Sequence, residues 1–154
     1  MSQTDSTGSS AVEFEGGNPI FRVQSVAASV DYYVRVLGFK LDWQASSFFA
    51  SVSRGRFHLF LSVGDQGNAG SWVWIGVSDA EALCEEYRAA GAKIRHPTTN
   101  YPWAFEMQVE DPDGNVLRMG SEPKPDQPEG PWLDMYGHTW VRNSEGVPVR
   151  VEKV

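Results

Sequence analysis

The chain has 154 residues, 41% of them hydrophobic, and a formal net charge of −7 at pH 7. This length and apolar content predict one domain with its own core, and the acidic balance disfavours nucleic acid, whose phosphates need clustered lysine and arginine. No apolar run approaches the ~20 residues of a membrane helix, and the start of the chain lacks a signal-peptide pattern. We therefore expect a cytoplasmic protein without a membrane partner.

The first part of the chain, residues 1–16, is rich in serine, threonine, glycine and acidic side chains and has few large apolar ones. Such a composition cannot bury enough apolar surface to fold, so we predict a flexible N-terminal arm. The folded domain is expected to begin near residue 17 and to end near residue 122.

An internal repeat fills this domain. Laying Val23 on Val77 places Tyr33 on Tyr87 ten residues later. Each half opens with a short apolar strand and continues with a helix whose apolar residues recur at helical spacing and which ends at a glycine. Three strand-like runs follow in each half. The two predicted βαβββ modules cover about residues 17–65 and 70–122.

The predicted fold class is α+β. Neither module alone buries both faces of its sheet, so the two modules are expected to pair into an incomplete barrel whose groove is a natural ligand site. Successive side chains of a strand point to opposite faces, and the apolar face should pack on a helix. The side chains that this alternation assigns to the groove include His58, Phe60, Trp72, Trp74 and Arg118. A ring at such a position either lines the groove or fills the interior.

The composition changes after the repeat, where residues 123–131 are proline-rich and predict a stiff linker. Two strand-like runs, Tyr136 to Arg142 and Val147 to Val151, flank a short polar turn and predict a hairpin. Residues 123–154 therefore form a C-terminal extension outside the repeat. Its aromatic side chains either cover the groove or cover the edge of a sheet.

Several segments of the repeat match a known family pattern. They are Tyr32-Tyr33 before Leu37-Gly38-Phe39, Leu59-Phe60-Leu61-Ser62 before Asp65-Gln66, Trp72-Val73-Trp74, Pro102-Trp103-Ala104, and Asp111-Pro112-Asp113-Gly114-Asn115. In this order they resemble the vicinal-oxygen-chelate superfamily of glyoxalases, bleomycin-resistance proteins and extradiol dioxygenases, over about two-thirds of the chain. Within that superfamily the chain is most similar to the bleomycin-resistance, or bleomycin-binding, proteins.

Enzymes of the resembled superfamily bind a divalent metal ion through four groove-facing side chains. The matching positions here are Asn18, Phe60, Trp72 and Arg118. Aromatic rings offer no lone pair to a metal, and a guanidinium repels one by its charge. We therefore expect no metal, no cofactor and no catalytic residue, and a binding protein rather than an enzyme. The alternative is a metal-dependent lyase or dioxygenase with unusual ligands such as Asn18 and His58.

In the bleomycin-binding proteins that the chain resembles, aromatic side chains from both chains of a dimer sandwich the flat tail of the drug. The resemblance implies a homodimer, an N-terminal arm that crosses to the partner, and a planar, cationic small-molecule ligand held by stacking. A binding or regulatory protein for another small ligand stays an alternative. The residues assigned to ligand contact are Trp43, Phe48, Phe60, Trp72, Trp103, Asp42 and Arg118.

Overall fold

The computed structural model describes residues 11–152, so most of the predicted N-terminal arm lies outside the described residues. The first module contains β1 (Ile20–Arg22), α1 (Val26–Arg35), β2 (Lys40–Ala45), β3 (Phe49–Arg54) and β4 (Phe57–Ser62). The second module contains β5 (Trp72–Gly76), α2 (Ala80–Ala90), β6 (Lys93–Asn100), β7 (Phe105–Glu110) and β8 (Val116–Ser121). Both modules have the βαβββ order, which confirms the predicted α+β fold class.

Each module builds one four-stranded sheet, and the two sheets have the same topology. The strand order is β1-β4-β3-β2 in the first sheet and β5-β8-β7-β6 in the second. In each sheet the first strand pairs in parallel with the last one, so that Ile20 lies opposite Phe60 and Trp74 lies opposite Arg118. The other pairs are antiparallel. The two sheets remain separate and do not close into a barrel.

Local capping residues fix the ends of the helices. The side chain of Ser25 accepts a hydrogen bond from the N–H of Ala28 at 3.1 Å, and Asp79 accepts one from Ala82 at 3.0 Å. Helix α2 ends at Gly91, whose φ of 79° lies in the left-handed region that glycine adopts without a Cβ clash. Among residues 11–152, no helix is long and apolar enough to cross a membrane.

The helix-covered faces of the two sheets meet in one hydrophobic core that both modules share. Tyr33 and Tyr87, the two tyrosines that the repeat aligns, are fully buried there. Each donates its hydroxyl to the other module, Tyr33 to the carboxylate of Asp111 at 3.0 Å and Tyr87 to the carbonyl of Leu37 at 2.9 Å. These bonds hold the modules together. The opposite face of each sheet, here called the groove-side face, lies at the surface of the described chain and carries exposed tryptophans.

The C-terminal extension folds into a three-stranded antiparallel sheet with the order β11-β10-β9. Its strands are β9 (Trp132–Leu133), β10 (Thr139–Arg142) and β11 (Pro148–Arg150). Strands β10 and β11 form the predicted hairpin. The side-chain amide of Asn100, at the end of β6, donates to the carbonyls of Lys124 at 2.7 Å and Gln127 at 2.9 Å. The extension is thereby attached to the edge strand of the second sheet.

Candidate functional site

The groove-side face of the first sheet carries three contacting rings, here called the first wall: Trp43, Phe49 and Phe60. Trp43 stacks on Phe49 with ring centroids 5.8 Å apart and planes 16° apart. Phe60 lies 5.7 Å from Trp43 and 5.2 Å from Phe49. Trp43 keeps 46% of its surface exposed, and Phe48, in the turn before β3, is 63% exposed. An open ring surface of this kind favours the stacking of a planar ligand.

Asp42 reaches the same face because β2 contains a bulge. The pairing of β2 with β3 shifts register just before Trp43, so Asp42 and Trp43 are not separated onto opposite faces. The Asp42 carboxylate accepts hydrogen bonds from Ser51 at 3.2 Å and Ser53 at 2.7 Å, and it lies 3.2 Å from Nδ1 of His58. Burial alone would raise the pKa of Asp42, but these hydrogen bonds outweigh it and lower the pKa. This carboxylate is already bonded within the sheet.

A second group of rings, here called the second wall, comes from β5 and from the connection between β6 and β7 of the second sheet: Trp72, Trp74, Tyr101 and Trp103. Trp74 rests on two glycines, Gly76 of its own strand and Gly120 of the neighbouring strand β8. A Cβ placed on Gly120 would stand 3.0 Å from the Trp74 ring, and one placed on Gly76 would stand 3.4 Å from it. The missing side chains let the indole lie close to the backbone. Trp74 is 51% exposed, so it faces solvent and does not fill the core.

A cavity of about 300 Å³ lies between Trp74 and Trp103. Its lining also includes Gly120 from β8 and Pro123 from the start of the extension. A planar group in this cavity would contact two indoles of the same wall, which favours aromatic recognition. Strand alternation assigns Trp74 to the groove, but its place beside Trp103 follows only from the fold.

Trp103 is held by contacts on its ring and on its nitrogen. The ring stacks on Tyr101 with centroids 4.9 Å apart and planes 5° apart, and Nε1 donates a hydrogen bond to Oε1 of Glu106. Glu106 is only 2% exposed. It also accepts two hydrogen bonds from Arg118, at 2.9 Å and 3.0 Å. Arg118 therefore neutralises a buried carboxylate that orients Trp103.

Trp72 lies at the start of β5 beneath the guanidinium of Arg95, whose Cζ is 4.8 Å from the ring centroid. Arg95 donates hydrogen bonds to the side chain of Gln108 and to the backbone carbonyl of Asp134 in the extension. Its Nε lies 3.7 Å from Glu110. Part of the Trp72 ring is therefore covered by a cation that the extension helps to hold.

A larger cavity, of about 540 Å³, lies away from both walls, between the β3–β4 turn and α2. Arg54 at this cavity pairs with Glu86 at 2.6 Å and donates to the carbonyl of Leu37 at 2.9 Å. Phe39 and Leu83, which also line it, pack in the shared core. Because its arginine is already bound within the protein and its apolar lining belongs to the core, we take the two walls as the candidate site.

Residues 17–119 match the family model of the Glyoxalase/Bleomycin resistance protein/Dioxygenase superfamily. The chain belongs to this superfamily. It is similar to a bleomycin-binding protein from bleomycin-producing Streptomyces verticillus, solved in complex with copper(II)-bleomycin, with 30% identity, a TM-score of 0.64, and coverage of 71% of this chain and 98% of that chain.

Two more distant solved structures show the shared fold alone. TioX from Micromonospora sp. ML1 is 22% identical, with a TM-score of 0.60 and coverage of 70% of this chain and 99% of that chain. A lactoylglutathione lyase from Agrobacterium tumefaciens is 14% identical, with a TM-score of 0.60 and coverage of 71% and 96%. No curated protein sequence matches the chain significantly.

The four positions at which the superfamily resemblance predicts metal ligands do not form a donor set. Phe60 belongs to the first wall, Trp72 belongs to the second, and the guanidinium of Arg118 is bound to Glu106. Of the four side chains, only that of Asn18, ahead of β1, has an oxygen that can coordinate a metal. Within residues 11–152, no three His, Cys, Asp or Glu side chains are grouped so that they could hold a metal ion. These residues do not fit a divalent metal at this place.

The predicted site residues fall on two separate surfaces. The first module holds Trp43, Phe48, Phe60 and Asp42, and the second module holds Trp72, Trp103 and Arg118. Within the described chain, no ring contact joins the two walls. The walls also contain three rings that were not assigned to ligand contact, namely Phe49, Trp74 and Tyr101. The ligand contacts themselves stay predictions.

Proposed function

We propose that this protein binds a planar, cationic, bleomycin-like antibiotic or a related small molecule without a metal, and that it confers resistance by stoichiometric capture in the cytoplasm. The observation that carries the proposal is the exposure of two ring surfaces, with Trp74 and Trp103 bordering one cavity. Apolar side chains left open to water in this way mark binding surfaces. No catalytic residue is needed for capture.

The charged side chains around the walls favour a ligand whose cation lies on the faces of aromatic rings. Asp42 and Glu106 are each bound to neighbouring side chains, so neither offers a free carboxylate for a direct ion pair. The rings of Trp72 and Trp103 already face guanidinium groups, so a ligand cation can instead lie on the exposed rings of Trp43 and Trp74. The net charge of −7 attracts such a ligand over longer distances. The 30% identical relative complexed with copper(II)-bleomycin supports the same ligand class.

A titration of the protein with bleomycin, monitored by tryptophan fluorescence, tests this proposal. We expect quenching that saturates with a dissociation constant of about 1 µM or lower, because several stacking contacts act together. Elemental analysis of the same protein separates capture from catalysis. A stoichiometric bound metal that supports turnover of a substrate would contradict the proposal, and so would a flat titration.

A homodimer is part of this proposal. The walls lie on different sheets of one chain and make no ring contact with each other, so each offers only one side of a sandwich. In a dimer with two-fold symmetry, the first wall of each copy can lie opposite the second wall of its partner. This arrangement forms two equivalent ligand sites. Light scattering during gel filtration should therefore give twice the 17.1 kDa of one chain. A monomer at concentrations where the ligand binds would contradict this arrangement.

A further inference from the structure

The C-terminal extension contacts three of the four rings of the second wall, directly or through one side chain. The hydroxyl of Tyr101 donates to the carbonyl of Pro131 at 2.8 Å. Cζ of Arg142, in β10, lies 5.8 Å from the ring centroid of Trp103. The third contact reaches Trp72 through Arg95, which donates to an extension carbonyl. The extension, residues 123–154, lies beyond residue 119, where the superfamily match ends.

The groups that make these contacts have partners of their own within the extension. The carboxylate of Asp134 accepts hydrogen bonds from the N–H groups of Tyr136 and His138, both at 2.9 Å, and from Nε1 of Trp140 at 2.9 Å. These bonds support the turn at Asp134, whose carbonyl accepts a hydrogen bond from Arg95. Nε of Arg142 lies 3.9 Å from Glu129, in the linker that joins β8 to this sheet.

We propose that the C-terminal extension is a positioning element of the ligand site, in which Arg142 holds Trp103 and the carbonyl of Asp134 holds Trp72 through Arg95. This inference rests on the proposed function. A ring that is already fixed loses less conformational freedom when a ligand stacks on it, so the extension raises affinity without adding a ligand contact of its own. It also explains why the sequence beyond the superfamily domain docks against the second sheet.

The test compares Arg142→Gln with Arg150→Gln, which removes an exposed arginine from the adjacent strand β11. We expect Arg142→Gln to raise the dissociation constant for bleomycin about fourfold and Arg150→Gln to leave it unchanged. Arg142→Lys keeps the charge but lacks the planar guanidinium, so its affinity should fall between the two. An unchanged dissociation constant in Arg142→Gln overturns the proposal. A lowered one also overturns it, because Arg142 would then compete with the ligand for the ring.

A ligand-free measurement separates failure of this inference from failure of the proposed function. The indole N–H resonance of Trp103 is assigned by its absence in Trp103→Phe, and its heteronuclear NOE reports the order of the ring. We expect a lower NOE for Trp103 in Arg142→Gln at an unchanged Tm, with no change in Arg150→Gln. An unchanged NOE overturns the positioning role even if the wild type binds no bleomycin. If Arg142→Gln does not fold, Glu129→Gln keeps the arginine, removes its partner and should lower the same NOE.

Discussion

Replacing Trp103 by alanine is expected to raise the dissociation constant for bleomycin about 30-fold, a loss of about 2 kcal/mol of binding free energy. The Trp103 indole lines the cavity of about 300 Å³ that Trp74 also lines. Its removal leaves a planar ligand in this cavity with one indole instead of two, while Trp74 and the first wall remain. Isothermal titration calorimetry is the suitable measurement, because it does not depend on the fluorescence of the indole that has been removed.

Two further variants identify which property of Trp103 matters. Trp103→Phe keeps a ring for stacking but loses the N–H that donates to Glu106, so we expect its affinity to stay within about threefold of the wild type. Tyr136→Ala removes an exposed ring of the extension that touches neither wall and should bind like the wild type. If Trp103→Ala binds bleomycin with wild-type affinity, the second wall is not part of the ligand site.

The repeated fold could be predicted because its signals are local. The alignment of Tyr33 with Tyr87 depends only on spacing, and the structure shows that both tyrosines are buried and bind across the module boundary. Strand alternation in β4 also holds, since Leu59 and Leu61 are buried in the core while Phe60 lies on the groove-side face. Helical and strand periods reflect which face of an element each side chain occupies. They therefore predict the elements before the residues that pack against each face are known.

The arrangement of the site could be predicted only in part, because it depends on irregular pairing and distant contacts. The bulge in β2 brings Asp42 and Trp43 to one face, which strict alternation does not allow. Strand β3 begins at Phe49, whose ring stacks on Trp43, while Phe48 lies in the turn before the strand. Acidic residues beside the groove suggest anionic contacts to a cation, but the hydrogen bonds that occupy Asp42 come from side chains on other strands.

The docking position of the extension also could not be predicted from the sequence alone. A proline-rich linker followed by a hairpin indicates neither where the hairpin docks nor which rings it meets. Its position depends on Asn100, an ordinary strand residue whose side chain binds the linker backbone in three places. Arg142, which reaches Trp103, belongs to the extension attached in this way. Contacts between residues this far apart in sequence carry no periodic signal.

Asp111→Ala is expected to lower the free energy of unfolding by about 3 kcal/mol at pH 7, because it leaves buried donors without an acceptor. The Asp111 carboxylate accepts the hydroxyl of Tyr33 at 3.0 Å and, at 2.9 Å each, the side-chain amide of Asn115 and the backbone N–H groups of Asp113 and Asn115. It thus closes the β7–β8 turn and joins the two modules. Urea unfolding followed by circular dichroism measures the loss, and Asp126→Ala, at an exposed position in the linker, should be neutral.

The stability lost in Asp111→Ala is expected to change with pH in one direction. Burial raises the pKa of Asp111 above its ordinary value of 3.8, and the hydrogen bonds from Asn115, Asp113 and Tyr33 offset this only in part. The native state therefore holds the proton more tightly than the unfolded state, so the contribution of Asp111 to stability falls as the pH rises through its native pKa. The difference in unfolding free energy between the wild type and Asp111→Ala should grow as the pH is lowered from 7 towards 4, since the other carboxylates titrate in both proteins. A difference that shrinks on acidification would show that the folded protein stabilises the charged carboxylate.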